Sequence, residues 1–183
     1  MNITVIGRGN VGGGLARRWE RAGHNVTELG RDGGDASDAD AVLLAVPSNA
    51  IGDALGKVSG LDGKVVMDAT NAFHGRNDEF ESLAHQVKLY VSGPVAKAFN
   101  CNYAALYDEV EKQRIAPSNL YAAEEGAVEI TEQLIRDAGY EPVSAGGLGS
   151  ARMLEDHLEL MTAINEGGRL GRFLYRYAKP GEL

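Results

Sequence analysis

Short apolar runs alternate with longer stretches in which apolar residues recur at helical spacing, and the alternation continues along most of the chain. The apolar runs predict strands at 2–6, 25–29, 41–46, 64–68, 95–99, 119–123 and 141–144. The periodic stretches predict helices at about 11–22, 47–58, 78–90, 125–138 and 151–165, with loop and a short helix in 103–116. Strands and helices that alternate in this way predict an α/β fold with a doubly wound, mostly parallel sheet.

The junction between the first strand and the first helix is rich in glycine. It reads Gly7-Arg8-Gly9-Asn10-Val11-Gly12, a G-x-G-x-x-G motif. In this motif Gly7 makes the tight turn, Gly9 lets the backbone approach a pyrophosphate, and Gly12 lets helix and strand pack closely. The unpaired N–H groups at the helix start favour an anion. The motif predicts dinucleotide binding on a Rossmann fold, and a glycine-rich turn without a ligand is the alternative.

The residues after the second strand bear on which dinucleotide binds. An NAD site usually carries Asp or Glu there, whereas this chain has Arg31, nineteen residues after the last motif glycine. A guanidinium can hold a 2′-phosphate through two parallel bonds, and Gly30 leaves room beside it. Arg8 could add a second phosphate contact. These residues favour NADP, although Arg31 could simply pair with Asp32 in solvent, and Asp32 and Glu28 keep NAD open.

The segment 30–40, GRDGGDASDAD, is dense in turn residues. A crossover between parallel strands needs about a dozen residues or more, and a further edge strand would need more again. We therefore expect the usual second helix to be lost or reduced to one turn. That loss would leave the adenosine side of the nucleotide site open.

Composition narrows the class of protein further. The 183 residues suit a dinucleotide-binding domain at 1–150, followed by a helix and tail at 151–183 that pack on the same domain or on a partner subunit. A formal net charge of −8 argues against a nucleic-acid partner. No apolar run approaches the roughly 18 residues of a membrane span, and no metal-ligand spacing is present. One cysteine (Cys101) and the absence of a signal-peptide pattern point to the cytoplasm.

Several motifs lie in order along the chain: IGRGNVGGGLA, GHNVTELGR, ADAVLLAVP, GKVVMDATN, VAKAFN and LYAAEEGAVEITEQLIRDAGYEPVSAGGLGSARMLE. Together they resemble the coenzyme F420-dependent NADP oxidoreductase family over residues 1–160. Many Rossmann reductases share the glycine loop and LAVP, whereas KAFN at 97–100 and DAGYEPV at 137–143 are more specific. The resemblance implies hydride exchange between nicotinamide C4 and C5 of a deazaflavin.

The resemblance also implies roles for residues at the carboxyl ends of the predicted strands. The pyrophosphate would be held by Arg8, Gly9, Asn10 and Val11, and the 2′-phosphate by Gly30 and Arg31. The nicotinamide ribose would be bordered by Val46 and Pro47. The nicotinamide and the second ligand would be flanked by Asn71, Ala72 and Ala98 to Asn100. The chain departs from the family at Gly30, where Ser or Thr is usual, and at Arg8, where Thr is frequent.

Hydride transfer between two bound rings needs little side-chain chemistry, because positioning supplies most of the catalysis. Lys97 is the best polar candidate, since it could neutralise an acidic substrate or a reduced ring, but it could equally point into solvent. Asn71 and Asn100 could orient a carboxamide or could only cap a helix or turn. His74 could reach the site, although loop histidines more often lie at the surface.

Three functions stay open. The first is an NADP(H)-dependent reductase of the deazaflavin type. The second is a reductase of a small imine or keto substrate, which would need another subunit to complete its site because few residues follow the last strand. The third is a non-catalytic NADP(H)-binding module. The partner is then a small-molecule redox acceptor. The arginines and aromatics of the tail at 169–177 could contact a second copy in a dimer or form the edge of an anionic-ligand site, and a dimer is the expected assembly.

Overall fold

A computed structural model of the chain describes residues 1–168 and 170–182, with the side chain of His74 left out. Its strands are β1 (Asn2–Ile6), β2 (Asn25–Leu29), β3 (Gly34–Asp35), β4 (Ala41–Leu44), β5 (Val58–Ser59), β6 (Val65–Asp68), β7 (Val95–Ala98), β8 (Ser118–Ala123) and β9 (Glu141–Ser144). Its α-helices are α1 (Asn10–Arg21), α2 (Ile51–Gly56), α3 (Leu83–Val87), α4 (Tyr107–Val110), α5 (Val128–Asp137) and α6 (Ala151–Gly167). Short 3₁₀ helices lie at Ser48–Ala50, Ala72–His74, Ala104–Leu106, Glu125–Ala127 and Leu148–Ser150.

Seven strands form one sheet in the order β2-β1-β4-β6-β7-β8-β9. All neighbouring pairs are parallel except β7 with β8. From β1 the chain moves first to β2 on one side and then to β4 on the other, so the strand order reverses there. This is the Rossmann-like α/β fold that the sequence predicts, with its ligand crevice expected where β1 and β4 end.

Helices cover both faces of the sheet. On one face, Trp19 of α1 is fully buried and donates from Nε1 to the Leu134 carbonyl of α5 at 2.9 Å. On the other face, Ile51 of α2 and Leu83 of α3 pack against the apolar strand β4. Burial on both faces explains why β4 reads as an unbroken apolar run.

The segment 30–40 contains no α-helix, as expected. A tight turn brings Gly30 and Gly33 into an isolated bridge, and the two-residue strand β3 then pairs with β5 in a small second sheet. Strand β2 is therefore left at the edge of the main sheet.

Several predicted elements are shorter than the sequence pattern indicates. The strand predicted at 41–46 ends at Leu44, and the helix predicted at 47–58 ends at Gly56, because Val58 pairs with β3. The helix predicted at 78–90 is confined to Leu83–Val87. Its first turns are replaced by a polar turn in which the Asn77 side chain accepts from the Glu79 N–H at 3.1 Å. Ser82 then caps α3 by accepting from the His85 N–H.

The C-terminal helix α6 packs across β8, with Leu154 and Met161 in a small core beside Cys101. The tail beyond it is tied to the start of β8, where the Ser118 N–H donates to the Tyr175 carbonyl at 2.8 Å. Arg169, the first residue of the tail predicted to contact a second copy, lies outside the described residues. No described helix is long and apolar enough to cross a membrane.

Candidate functional site

The glycine loop between β1 and α1 is packed so tightly that two of its glycines have no room for a side chain. Gly7 has φ of +110°, and a Cβ there would lie 2.2 Å from the Ala45 carbonyl oxygen. A Cβ on Gly12 would lie 1.9 Å from the Gly7 carbonyl oxygen. A Cβ on Gly9, by contrast, would meet nothing within 4 Å. The loop is therefore closed on its inner side and open at Gly9.

The open side leads to the N-terminus of α1. Gly9 is the N-cap, no described side chain caps the helix, and the first turn contains no acidic residue. The first backbone acceptor inside the helix is used by Gly13, whose N–H donates to the Gly9 carbonyl at 2.9 Å. The earlier N–H groups of a 12-residue helix thus face the loop, where the helix dipole favours an anion.

Arg8 reaches from this loop to the end of β2. Its Nη2 and Nε donate to the Glu28 carbonyl at 2.8 and 3.3 Å. Its guanidinium lies over Gly30, where an added Cβ would stand 3.5 Å from Nη1. A Cβ on Gly30 would therefore be in ordinary van der Waals contact with the guanidinium, which packs directly over this residue. Arg31, next along, is exposed and forms no ion pair with Asp32.

A cleft of about 240 Å³ opens where β1, β4 and β6 end. The residues around it come from the loops after these strands: Gly9, Asn10, Val11, Ala45, Val46, Pro47, Ala69, Thr70, Asn71 and Phe73. None of these residues has an ionisable side chain. Val46, Pro47 and Asn71, for which the family resemblance implies positions at the nicotinamide end, are thus brought together here. The side chain of His74 is outside the described part of the chain.

Asn71 and Asn100 hold each other at the edge of the cleft. The Asn71 amide donates to the Asn100 backbone carbonyl at 2.9 Å, and the Asn100 amide donates to Asn71 Oδ1 at 3.1 Å and to the Leu154 carbonyl at 3.0 Å. Asn71 precedes a 3₁₀ helix but makes no side-chain cap bond to it. Asn100 is 3% exposed and does not line the cleft itself. Asn100 therefore lies behind Asn71 as seen from the cleft and orients the Asn71 side chain through these two hydrogen bonds.

The backbone just before Asn100 is strained. Phe99 has φ of +63°, a conformation that a bulky residue adopts at a cost of about 1–3 kcal/mol. Its ring packs edge-on against Trp19 at 5.7 Å between centroids, and its N–H donates to Asn119 Oδ1 at 3.3 Å. These contacts hold the turn that points Asn100 toward Asn71. Ala98, also expected near the nicotinamide, is buried in the core under this turn.

Lys97 faces neither the cleft nor solvent, so both expectations for its amine need correction. Its side chain is 0% exposed and its Nζ lies 2.8 Å from Asp68 Oδ2, 2.6 Å from the Thr70 carbonyl and 3.2 Å from Glu155 Oε1. The first two contacts are hydrogen bonds and the third is an ion-pair contact, so the ammonium is enclosed by acceptors of the protein and is not available to a substrate in the cleft. Desolvation explains the arrangement, because a buried ammonium must be paired.

The carboxylate of Glu155 extends this buried cluster to the loop after β6. Its Oε1 accepts from the Leu83 N–H at 2.9 Å, and Arg76 Nε lies 3.1 Å from its Oε2 at ion-pair distance but without hydrogen-bond alignment. Arg76 also donates to Asp156 at 3.0 Å. Burial raises the pKa of Asp156, but the hydrogen bonds and charges of Arg76 and Arg152 outweigh it and leave that pKa below its ordinary value.

The four residues Asp68, Lys97, Glu155 and Arg76 form what we call the ion network. It joins β6 and β7 to α6 and to the loop that carries Phe73. Sequence reasoning missed Asp68, Arg76 and Glu155. The sequence contained one indication of this network: Asp68 ends an apolar predicted strand, and Lys97 lies in the next predicted strand along the chain.

A groove of about 410 Å³ continues from the cleft along α6. It is lined by Ala72, Phe73, Arg76, Glu155, Leu158, Glu159, Thr162, Ala163 and Glu166. Phe73 lines both the cleft and the groove and is 70% exposed. The cleft and the groove thus meet at one exposed aromatic ring.

The sequence matches no protein-family model. No match is found among curated proteins either. Solved structures do share the fold. A candidate F420-dependent NADP reductase from Arthrobacter sp. FB24 has a TM-score of 0.79 at 21% identity, with 97% of this chain and 99% of that chain covered. A hypothetical protein from Sinorhizobium meliloti has a TM-score of 0.73 at 24% identity over 97% of this chain and 96% of that one.

A reductive aminase from Aspergillus terreus, solved with NADPH and ethyl levulinate, has a TM-score of 0.64 at 17% identity. The match covers 91% of this chain but 62% of the aminase, so the aminase has a large further part with no counterpart here. The first two matches, in contrast, span nearly the whole length of both chains.

Proposed function

We propose that this protein is an NADP(H)-dependent oxidoreductase that holds the nicotinamide in the cleft and a second, hydride-accepting ligand beside it. The observation that carries the proposal is the uncapped N-terminus of α1 at the strand-order reversal, opened to ligand by Gly9 and sealed behind by Gly7 and Gly12. A pyrophosphate fits this cradle, since a Cβ on Gly9 would project into empty space.

The choice of NADP rests on the arginines at the end of β2. Arg8 is held over Gly30 by the Glu28 carbonyl, and its Nη1 makes no hydrogen bond with the described residues. Arg31 stands exposed at the neighbouring turn. Two guanidinium groups at this point favour a 2′-phosphate through charge-assisted hydrogen bonds. The short link at 30–40 leaves the adenosine side open, so these two arginines carry most of the selectivity.

At the other end of the cleft, the lining residues would position the ligands and take no part in proton transfer. Val46 and Pro47 would border the nicotinamide ribose, and Asn71, held by Asn100, would lie beside the ring with one amide N–H that it does not donate to Asn100. Bound NADPH would supply a hydride and leave as NADP⁺. The protein's part is to keep the two reacting carbons close and to exclude water, which provides most of the rate enhancement when no proton is transferred by a side chain.

The first candidate for the acceptor is the deazaflavin of coenzyme F420. The motif resemblance supports it, and so does the likeness in fold to the candidate F420-dependent NADP reductase, which extends over nearly all of both chains. The test is a titration with NADPH, followed by addition of oxidised F420 and measurement of its visible absorbance. NADPH binding with bleaching of F420 is the expected result. NADPH binding without bleaching would reject the deazaflavin and leave another acceptor or a non-catalytic module.

A second candidate is a small imine substrate. The observation that favours it is the groove beside Phe73, whose lining has three carboxylates and one arginine, the latter already shared by Glu155 and Asp156. The fold is also similar to that of the Aspergillus terreus reductive aminase. Oxidation of NADPH by a cyclic imine, with no bleaching of F420, would decide for this candidate.

A further inference from the structure

We infer that Asn71 recognises the carboxamide group of the nicotinamide and selects a cofactor whose ring carries a neutral primary amide. The inference rests on the proposed function in one respect, namely that the nicotinamide occupies the cleft. It adds a residue that determines specificity for the ring substituent. The arginines at the end of β2, by contrast, bear on the choice between NADP and NAD.

The polar side chains of the cleft are few, which narrows the choice to Asn71. Among the described residues that line the cleft, Asn10, Thr70 and Asn71 have polar side chains. Asn10 begins α1, at the end of the cleft where the pyrophosphate would lie. Thr70 is 1% exposed and its hydroxyl oxygen is buried. Asn71 is partly exposed, so its amide is the group that can bond a polar substituent at the nicotinamide end.

The orientation of the Asn71 amide is fixed by backbone carbonyls, which can only accept hydrogen bonds. Its Nδ2 donates to the Asn100 carbonyl at 2.9 Å, so its nitrogen and oxygen cannot exchange places without losing this bond. The Asn100 amide is fixed in the same manner, because its Nδ2 donates to the Leu154 carbonyl at 3.0 Å. The same nitrogen also donates to Asn71 Oδ1 at 3.1 Å. Two carbonyls thus give the pair of amides a single polarity.

The pairing leaves Asn71 with hydrogen-bonding capacity on both of its polar atoms. An amide nitrogen has two N–H groups and an amide oxygen accepts two hydrogen bonds. Bonds with the described residues use one of each. One N–H donor and one acceptor position therefore remain on the same planar group. A carboxamide on the ligand offers the matching acceptor and donor, whereas a methyl ketone in its place offers the acceptor and lacks the donor.

The residues behind Asn71 favour binding because they hold its amide in place before a ligand arrives. Asn100 is 3% exposed and does not line the cleft. The turn before it includes Phe99, whose φ of +63° is a conformation that bulky residues rarely adopt, and the Phe99 N–H donates to Asn119 Oδ1. A side chain that is already ordered loses little conformational freedom on binding. The Asn71 amide can therefore discriminate between ring substituents of similar size.

The test compares two cofactors that differ in this substituent: NADP⁺ and 3-acetylpyridine adenine dinucleotide phosphate, in which a methyl ketone replaces the carboxamide. Each is titrated by calorimetry into the wild-type protein, Asn71→Leu, Asn71→Ala and a control, Asn25→Ala, at the exposed start of β2. The wild type and the control should bind NADP⁺ at least about fivefold more tightly than the ketone. Both Asn71 variants should bring the two Kd values to within about twofold of each other, mainly through weaker binding of NADP⁺.

Three outcomes would contradict this expectation. Equal binding of the two cofactors by the wild type would overturn the inference and leave the proposed function standing. A preference that survives in both Asn71 variants, or a complete loss of binding in both, would assign Asn71 a structural role and would also overturn it. Failure of the wild type to bind NADP⁺ would instead reject the proposed function, and the inference with it.

Discussion

The two sides of the cleft are built in opposite ways. The side proposed to bind the nucleotide, here the nucleotide side, is made mainly of backbone: three glycines and a helix N-terminus, with one arginine side chain bonded to a carbonyl. The side proposed to bind the acceptor, here the acceptor side, is made of side chains from β6, β7, the loop after β6 and α6, which the buried ion network holds together. A site built from backbone can be blocked by adding one methyl group to a glycine. A site held by an ion network is instead disrupted when one partner is removed and a buried charge is left unpaired.

The largest effect should come from the acceptor side. Lys97→Met leaves Asp68 and Glu155 as buried carboxylates without their shared cation, so we expect a loss of about 3–5 kcal/mol in the free energy of unfolding. Urea unfolding at neutral pH measures it. The control is Lys57→Met, which removes an exposed ion pair with Asp53 and should cost less than about 1 kcal/mol. Equal losses in the two variants would mean that the network does not stabilise the acceptor side.

The next prediction compares alanine substitutions at two glycines of the same loop, which should have different consequences. Gly12→Ala places a Cβ 1.9 Å from a backbone oxygen and should cost about 1–3 kcal/mol in unfolding free energy. Gly9→Ala has no such clash and should cost less than about 1 kcal/mol, yet it should weaken NADPH binding at least about tenfold because the methyl occupies the pyrophosphate position. Urea unfolding and fluorescence titration distinguish them. Unchanged NADPH affinity in Gly9→Ala would place the phosphates elsewhere.

The sharpest readout of cofactor choice is at Arg8. Arg8→Ala should raise the Kd of NADPH about tenfold and leave that of NADH within about twofold, because only NADPH has a 2′-phosphate for the guanidinium. Arg21→Ala, in the last turn of α1, is the matched control and should change neither Kd. A parallel loss for both cofactors would show that Arg8 supports the loop through the Glu28 carbonyl and does not select NADP.

The smallest predicted effect comes from Asp156, whose ion pairs with Arg76 and Arg152 lie at the exposed edge of the acceptor side. The pKa of Asp156 is lowered in the folded state, so its contribution is present above the unfolded carboxyl pKa of about 3.9 and is lost as pH falls through the lower folded value. Asp156→Asn should therefore cost less than about 1 kcal/mol near neutral pH, since the side chain is 48% exposed. Unfolding curves from neutral pH to about 3 should converge for variant and wild type. A difference that does not depend on pH would contradict the ion-pair explanation.

The difference between the nucleotide side and the acceptor side also explains which features the sequence could predict. The glycine loop, the parallel strands and the short link at 30–40 depend on neighbours in the chain, and their patterns are local. The helix expected at 78–90 was wrong in its first half because Asn77 and Ser82 form local side-chain bonds that compete with helix formation.

The candidate acceptor side depends on partners far apart in the chain. Lys97 is 29 residues from Asp68, and Glu155 bonds the Leu83 N–H across 72 residues. No local pattern distinguishes a lysine on an apolar strand that faces solvent from one that meets two buried carboxylates. Only the register of β6 with β7 and the crossing of α6 decide it. The groove, whose walls are these same elements, was unpredictable for the same reason.

The most direct test of the central claim is a fluorescence titration of the purified wild-type protein with NADPH and, separately, with NADH. The backbone cradle at α1 together with Arg8 and Arg31 predicts saturable binding of NADPH, at least about tenfold tighter than that of NADH. Binding of neither nucleotide, or tighter binding of NADH, would contradict the account.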